Sequence, residues 1–95
     1  MPAVWIPALM RDLTGGEEVI RVPGQTVRQV IEGLDERFPG IRNRLCDEDG
    51  LRSNIIVVVD GKVGHRRLRQ ALSENSEVHF LHAISGGNSQ SEFYR

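Results

Sequence analysis

Residues 55–59 read Ile-Ile-Val-Val-Val, an unbroken succession of β-branched side chains. Branching at Cβ restricts χ1 and weakens helix formation, whereas the pleated surface of a sheet accommodates it. A short run that is apolar on both sides is expected to be a central strand covered on both faces. Asp60-Gly61 follows at once, and this dipeptide suits the positive φ values of a tight hairpin turn. The expectation is therefore a hairpin leading into a brief edge strand near Lys62-Val63.

The flanking segments supply the rest of a sheet and one helix. Val4, Ile6 and Ala8 alternate with Trp5, Pro7 and Leu9, the period of a half-buried strand, with Pro7 unable to donate to a ladder. Leu13-Thr14-Gly15-Gly16 then reads as a turn, and alternation resumes from Glu18 to Val22, so the two strands should form a hairpin. Pro23-Gly24 ends that strand, and Thr26 with Gln29 fits a capping box at a helix start. Val27, Val30, Ile31, Leu34 and Phe38 share one helical stripe before Pro39-Gly40 stops it. Ile41 to Cys46 is expected to add a short turn of helix, and Asp47 to Gly50 a polar loop. After a loop containing Leu68 and Leu72, Ser73 to Ser76 turns the chain, and Glu77 to His82 alternates with Val78 and Phe80 inward.

The order strand, strand, helix, strand, short strand, strand predicts an α+β fold. It is a mixed sheet of about five strands with one main helix packed across it, the β-grasp or ubiquitin-like arrangement. A length of 95 residues supports one domain. Twelve basic side chains face thirteen acidic ones, and the lack of a basic excess argues against a general nucleic-acid or membrane-surface binder. Lys62 is the only lysine beside eleven arginines, and Cys46 is the only cysteine. A single thiol cannot build a disulfide framework or a multi-cysteine metal site, so a reducing cytoplasm is the expected compartment. The first residues lack a signal-peptide pattern, and no apolar stretch approaches the roughly 20 residues needed to span a bilayer.

Few side chains present a chemical constellation. Gly15-Gly16 is followed by neither Gly-Lys-Ser/Thr nor a helix, so it reads as a turn and not as a phosphate loop. Asp47, Glu48 and Asp49 lack EF-hand spacing, and His79 and His82 point to opposite faces of a strand. Cys46 fits the apolar pattern of Ile41 and Leu45 better than the role of a nucleophile. His65-Arg66-Arg67-Leu68-Arg69 is a basic cluster, suited either to an acidic patch on a partner or to plain solvent exposure. No catalytic residue, resident metal or bound cofactor is expected.

Three segments carry a resemblance. Ile6-Pro7-Ala8-Leu9-Met10-Arg11, Leu13-Thr14-Gly15-Gly16 and Val78 through Ala83-Ile84-Ser85-Gly86-Gly87 together resemble the MoaD/ThiS family of ubiquitin-like sulfur carriers, weakly favouring its MoaD/CysO-like branch. The helix from Thr26 and the Val59-Asp60-Gly61 turn match in order and spacing. The resemblance implies a β-grasp domain over residues 1–85 and a C-terminal tail over 86–95. It implies that a partner adenylyltransferase of the ubiquitin-activating type uses ATP to adenylate the Gly87 carboxyl, which sulfur then converts to a thiocarboxylate. Gly86 and Gly87 would be the sulfur-carrying terminus, slim enough to thread a narrow channel. Ala83, Ile84 and Ser85 would be the segment lying in that channel, with Ile84 as an apolar grip. A sulfur-accepting biosynthetic enzyme would follow, serving molybdopterin, cysteine or another sulfur-containing metabolite.

The chain departs from the family's usual ending by continuing from Asn88 to Arg95. While residue 88 is attached, Gly87 carries an amide and cannot be adenylated. A precursor trimmed after Gly87 is therefore expected, with a JAMM-type metalloprotease as a plausible agent; a merely incidental tail is the alternative. Two other functions share these residues: a ubiquitin-like modifier conjugated through Gly87, and a non-catalytic interaction module. Leu9 and Leu81 are apolar anchors for a partner if they point outward.

Overall fold

A computed structural model describes residues 1–83 of the chain. Its main sheet has five strands: β1 (Ala3–Trp5), β2 (Val19–Arg21), β5 (Ile55–Val59), β6 (Lys62–Val63) and β7 (Glu77–His82). A separate small hairpin pairs β3 (Cys46–Asp47) with β4 (Gly50–Leu51). The five strands lie in the order β2-β1-β7-β5-β6. β7 runs parallel to β1, and the other pairings are antiparallel. This is the expected β-grasp, with a mixed sheet and one main helix.

That helix, α1 (Val27–Arg37), buries Val27, Val30, Ile31 and Leu34. They meet Val4, Ile6, Ile20, Ile55, Val57, Val59, Val78 and Phe80 from the inner face of the sheet in one core. Each such side chain contributes about 1.5–3 kcal/mol relative to exposure, so the apolar stripe outweighs the modest propensity of its valines. Thr26 caps the helix, its hydroxyl accepting from the Gln29 N–H at 3.2 Å. The expected reciprocal bond is displaced by one residue: Gln29 Oε1 accepts from the Gln25 N–H at 2.8 Å, not from that of Thr26. A short α2 (Ile41–Leu45) follows and buries Ile41 and Leu45.

The structure corrects three local expectations. Ile55, Val57 and Val59 face the core, but Ile56 and Val58 remain half-exposed, so β5 is covered on one face only. The β1–β2 pair forms, yet its connection is no tight turn. Strand geometry stops at Trp5, and Ala8–Met10 is a one-turn 3₁₀ helix. Pro7 has no N–H with which to extend the ladder, and burying Met10 and Thr14 folds residues 6–18 over the end of the sheet. Finally, Asp47 to Gly50 is a paired hairpin whose turn is closed by Asp47 Oδ1 accepting from the Asp49 N–H.

The Asp60-Gly61 turn forms as read, with φ of 53° and 83°, the left-handed pair of a type I′ turn.

Candidate functional site

The parallel pairing of β1 and β7 decides where the C-terminus leaves. Trp5 is level with His79, so both strands end at the same edge of the sheet. Across β7, His82 is level with Ile55 at the start of β5. One residue further on, the Ala83 N–H donates to the Asn54 carbonyl at 2.7 Å. Ala83 is thus placed at the exit, half-buried and tied to the turn before β5. The other residues assigned to the sulfur-carrying end, Ile84, Ser85, Gly86 and Gly87, lie outside the described residues, as does the extension 88–95.

The outer face of the sheet carries an apolar row that the sequence does not display. Register places Val19 beside Trp5, Trp5 beside His79, His79 beside Val58, and Val58 beside Val63. Each of the five strands therefore contributes one side chain to a continuous band. The Trp5 and His79 rings stack, with centroids 5.1 Å apart and planes 8° apart, so each ring shields part of one face of the other. Leu81 and Ile56 extend the band by one further pair toward the exit, and Leu81 is 50% exposed. Alternation within each strand reveals the outward residues; only cross-strand register aligns them. The row is the kind of surface that aromatic-rich interfaces use.

Leu9 is the most exposed large apolar side chain among the described residues, at 72%. Like Leu81 it points outward, as the anchor reading requires. The loop that holds it is braced from α2: Arg44 Nη1 donates to the Leu9 carbonyl at 3.1 Å, and Nη2 to Asp12 Oδ2 at 3.3 Å. Arg11 Nε donates to the Ile6 carbonyl, and the buried Thr14 hydroxyl spans Arg11 and Glu17. Because this loop follows β1, it stands at the same end of the sheet as Ala83.

The remaining residues singled out from the sequence do not assemble into a reactive centre. Cys46 is buried, and desolvation pushes its thiol above the ordinary value against a partial offset from Arg42. It borders a cleft of about 190 Å³ whose charges are mixed, Arg28 and Arg42 facing Glu32, Asp47, Glu48 and Asp49. His79 and His82 face opposite sides of β7. The basic cluster is split: Arg66 and Arg69 are exposed, whereas the Arg67 guanidinium turns inward onto backbone carbonyls. Among the described residues, no group of three His, Cys, Asp or Glu side chains could hold a metal, and no helix is long and apolar enough to cross a membrane.

Comparison with known proteins agrees with this architecture. The chain is 30% identical over 89 aligned residues to the sulfur carrier protein CysO of Mycobacterium tuberculosis (strain ATCC 25618 / H37Rv), covering 88% of this chain and 96% of the relative. A crystal structure of an Amycolatopsis orientalis BexX/CysO complex contains a chain similar at a TM-score of 0.84 and 30% identity, covering 92% of this chain and all of that one. The M. tuberculosis CysO crystal structure gives 0.83 at 27% identity, over 88% of this chain and 100% of that one. Small archaeal modifier protein 1 of Methanosarcina acetivorans shares the fold, with a TM-score of 0.75 at 22% identity over 90% of this chain and 95% of that one. The family model described as ThiS matches residues 4–87, from β1 through both glycines, and the chain belongs to the ThiS family.

Proposed function

We propose that this chain is a sulfur carrier, itself non-catalytic, that presents Gly87 to partner enzymes. The observation that carries the reading is the reach of the family match. It runs through residue 87, beyond the end of β7 at His82 and the exit at Ala83. Relatives named sulfur carrier protein CysO align over nearly their whole length, which supports the same role here.

The chemistry begins with a free Gly87 carboxylate, so peptide-bond hydrolysis after Gly87 must first remove residues 88–95; a JAMM-type protease suits that cut. A carboxylate is a poor acyl donor. A partner adenylyltransferase of the ubiquitin-activating type would join it to the α-phosphate of ATP, releasing pyrophosphate. Sulfide would then attack the acyl carbon, breaking the C–O bond to AMP, forming a C–S bond and giving up its proton; a persulfide in its place would give an acyl disulfide, whose S–S bond a thiol must then reduce. The product is a thiocarboxylate held on a protein, available to an acceptor enzyme of the cysteine-forming or molybdopterin-forming kind.

The body of the domain would supply recognition. The row Val19–Trp5–His79–Val58–Val63 offers a mainly apolar outer face, and Leu9 an apolar knob at the exit end. The occurrence of a CysO chain in a complex with BexX supports such docking. Arrangement of the knob and face ahead of binding reduces the ordering that association would otherwise cost.

The test is intact-mass analysis of the chain ending at Gly87 after incubation with an adenylyltransferase, ATP and sulfide. Replacement of one oxygen by sulfur is the expected result, lost on omission of ATP and lost in a version ending at Gly86. A mass unchanged with every adenylyltransferase tried would remove the carrier reading. Adducts one protein larger would instead identify a modifier.

A further inference from the structure

The Arg67 backbone is left-handed, with φ of 55°. That region is costly for a long side chain and persists only where surrounding interactions hold it. Here the holding interactions are visible. Arg67 Nη1 donates to the Ile55 carbonyl at 3.0 Å, and Nη2 to those of Leu51 at 3.0 Å and Arg52 at 2.8 Å. The rigid fork of one guanidinium thereby gathers three carbonyls of a single turn, residues 51–55.

The same turn carries the oxygen that binds the exit. Asn54 lies between the carbonyls that Arg67 gathers, and its own carbonyl accepts the Ala83 N–H at 2.7 Å. The turn is tied from its other side as well. Arg52 N–H donates to the Leu45 carbonyl, and the Arg52 guanidinium donates to that of Asn43 at 2.8 and 3.2 Å. A continuous set of hydrogen bonds thus runs from Arg67, through the 51–55 turn, to the last described residue before the glycine arm.

We propose that Arg67 is a positioning residue: it holds the Asn54 carbonyl as a clamp on Ala83, which fixes the point from which the segment leading to Gly86-Gly87 starts. The inference rests on the carrier reading and deepens it. A chain of the length of residues 84–87 reaches at most about 14 Å, at roughly 3.3–3.6 Å per extended residue. With so short an arm, its origin relative to the docking face determines whether an acyl carbon meets the partner's ATP. Misplacement by about 1 Å can cost on the order of a hundredfold in rate. Arg67 is not part of the docking surface proposed above, the row Val19–Trp5–His79–Val58–Val63 with Leu9. Loosening the clamp should therefore lower turnover and leave docking intact.

Two variants of the chain ending at Gly87 test this from opposite sides. Arg67→Gly accepts the left-handed backbone without strain but removes the guanidinium. Ala83→Pro leaves Arg67 in place but removes the N–H that Asn54 accepts. In Arg67→Gly, amide exchange at Ala83 is expected to quicken at least about tenfold while Val57 and Val78 stay protected. In both variants, kcat for adenylation should fall about tenfold; in Arg67→Gly, which lies outside the segment assigned to the partner's channel, affinity for the adenylyltransferase should stay unchanged within about twofold. A merely structural role would instead move Val57 and Val78 exchange or the affinity. Unchanged Ala83 exchange in Arg67→Gly, or wild-type kcat in Ala83→Pro, overturns the proposal. The exchange measurement needs no enzyme, so it decides the clamp even where the parent chain resists adenylation, a result that counts against the carrier reading instead.

Discussion

A β-carbon built on Gly33 would stand 2.6 Å from Val22 Cγ1. Gly33 lies in the middle of α1, and Val22 is buried immediately after β2. The missing side chain is what lets the helix settle against the end of the first hairpin. Two effects of substitution oppose each other. Gly33→Ala would gain up to about 1 kcal/mol of helix propensity. Forcing a methyl against a buried, β-branched neighbour costs about 1–3 kcal/mol, because Val22 has little rotamer freedom with which to yield. The clash should win, giving a net loss of about 1 kcal/mol and a Tm lower by roughly 4–8 °C. A thermal melt followed by circular dichroism checks it; a higher Tm would mean that the strand moves aside.

The start of the same helix makes a second prediction. Thr26 Oγ1 satisfies one otherwise orphaned amide, that of Gln29. Thr26→Ala should destabilise the domain by about 1 kcal/mol, while Thr26→Asp should retain most of the stability. Gln29→Ala should cost less than Thr26→Ala, since the Gln25 N–H that it frees precedes the helix and is not one of its orphaned amides, and alanine raises helix propensity at position 29. Urea denaturation of the three variants gives the ranking directly.

The fold was legible where local chemistry and tertiary packing agree. The stripe of α1, the Asp60-Gly61 turn and the alternation of residues 77–82 each state their structure in consecutive residues, and each is found as read. The connection between β1 and β2 was less legible. Gly15 and Gly16 do adopt positive φ, but they close a folded loop whose shape depends on burying Met10 and Thr14. No short window of sequence contains that demand. Residues 55–59 misled in another way: an apolar run shows that a face avoids polar groups, not what covers it. Ile56 and Val58 belong to an uncovered band.

The candidate site divides similarly. Gly86, Gly87 and the segment from Ala83 were named from family likeness, and of these the structure describes only Ala83. The Trp5–His79 stack required the parallel register of strands at opposite ends of the sequence. Arg67 stood within an apparent basic cluster. Nothing in that pattern distinguishes an arginine that turns inward onto carbonyls from its exposed neighbours, Arg66 and Arg69.

Cys46 makes a prediction about pH. Burial raises its thiol pKa, the partial offset from Arg42 notwithstanding, so less of the reactive thiolate is present at any pH up to the raised value. Alkylation by iodoacetamide at pH 8 should be slower than for an unstructured peptide thiol, and should accelerate in urea. The linkage has a definite sign. Above the ordinary thiol value the unfolded chain gives up its proton first, so the native state binds more protons and stability falls as pH rises. This contribution is fully present below pH 9.0, the ordinary value, and is lost progressively above it. Cys46→Ala should abolish that part of the alkaline slope, as measured by urea midpoints across the alkaline range.

The apolar row predicts which side chains carry docking to an activating enzyme. Trp5 is 37% exposed and lies in the band between Val19 and His79, with room to bury more of its indole against a partner. Centrally placed tryptophans commonly cost 2 kcal/mol or more when truncated, about a thirtyfold loss of affinity. Trp5→Ala should therefore raise the KM of the Gly87-ended chain for adenylation by about thirtyfold, with kcat nearly unchanged. His79→Ala should have a smaller effect, because the imidazole contributes mainly by stacking on the indole. A double-mutant cycle between the two should show coupling of about 0.5–1.5 kcal/mol, the range for stacked aromatic pairs. Leu9→Asp, at the exit loop, provides the comparison. If it raises KM while Trp5→Ala does not, the partner grips the end of the sheet, and the band on its outer face serves another contact.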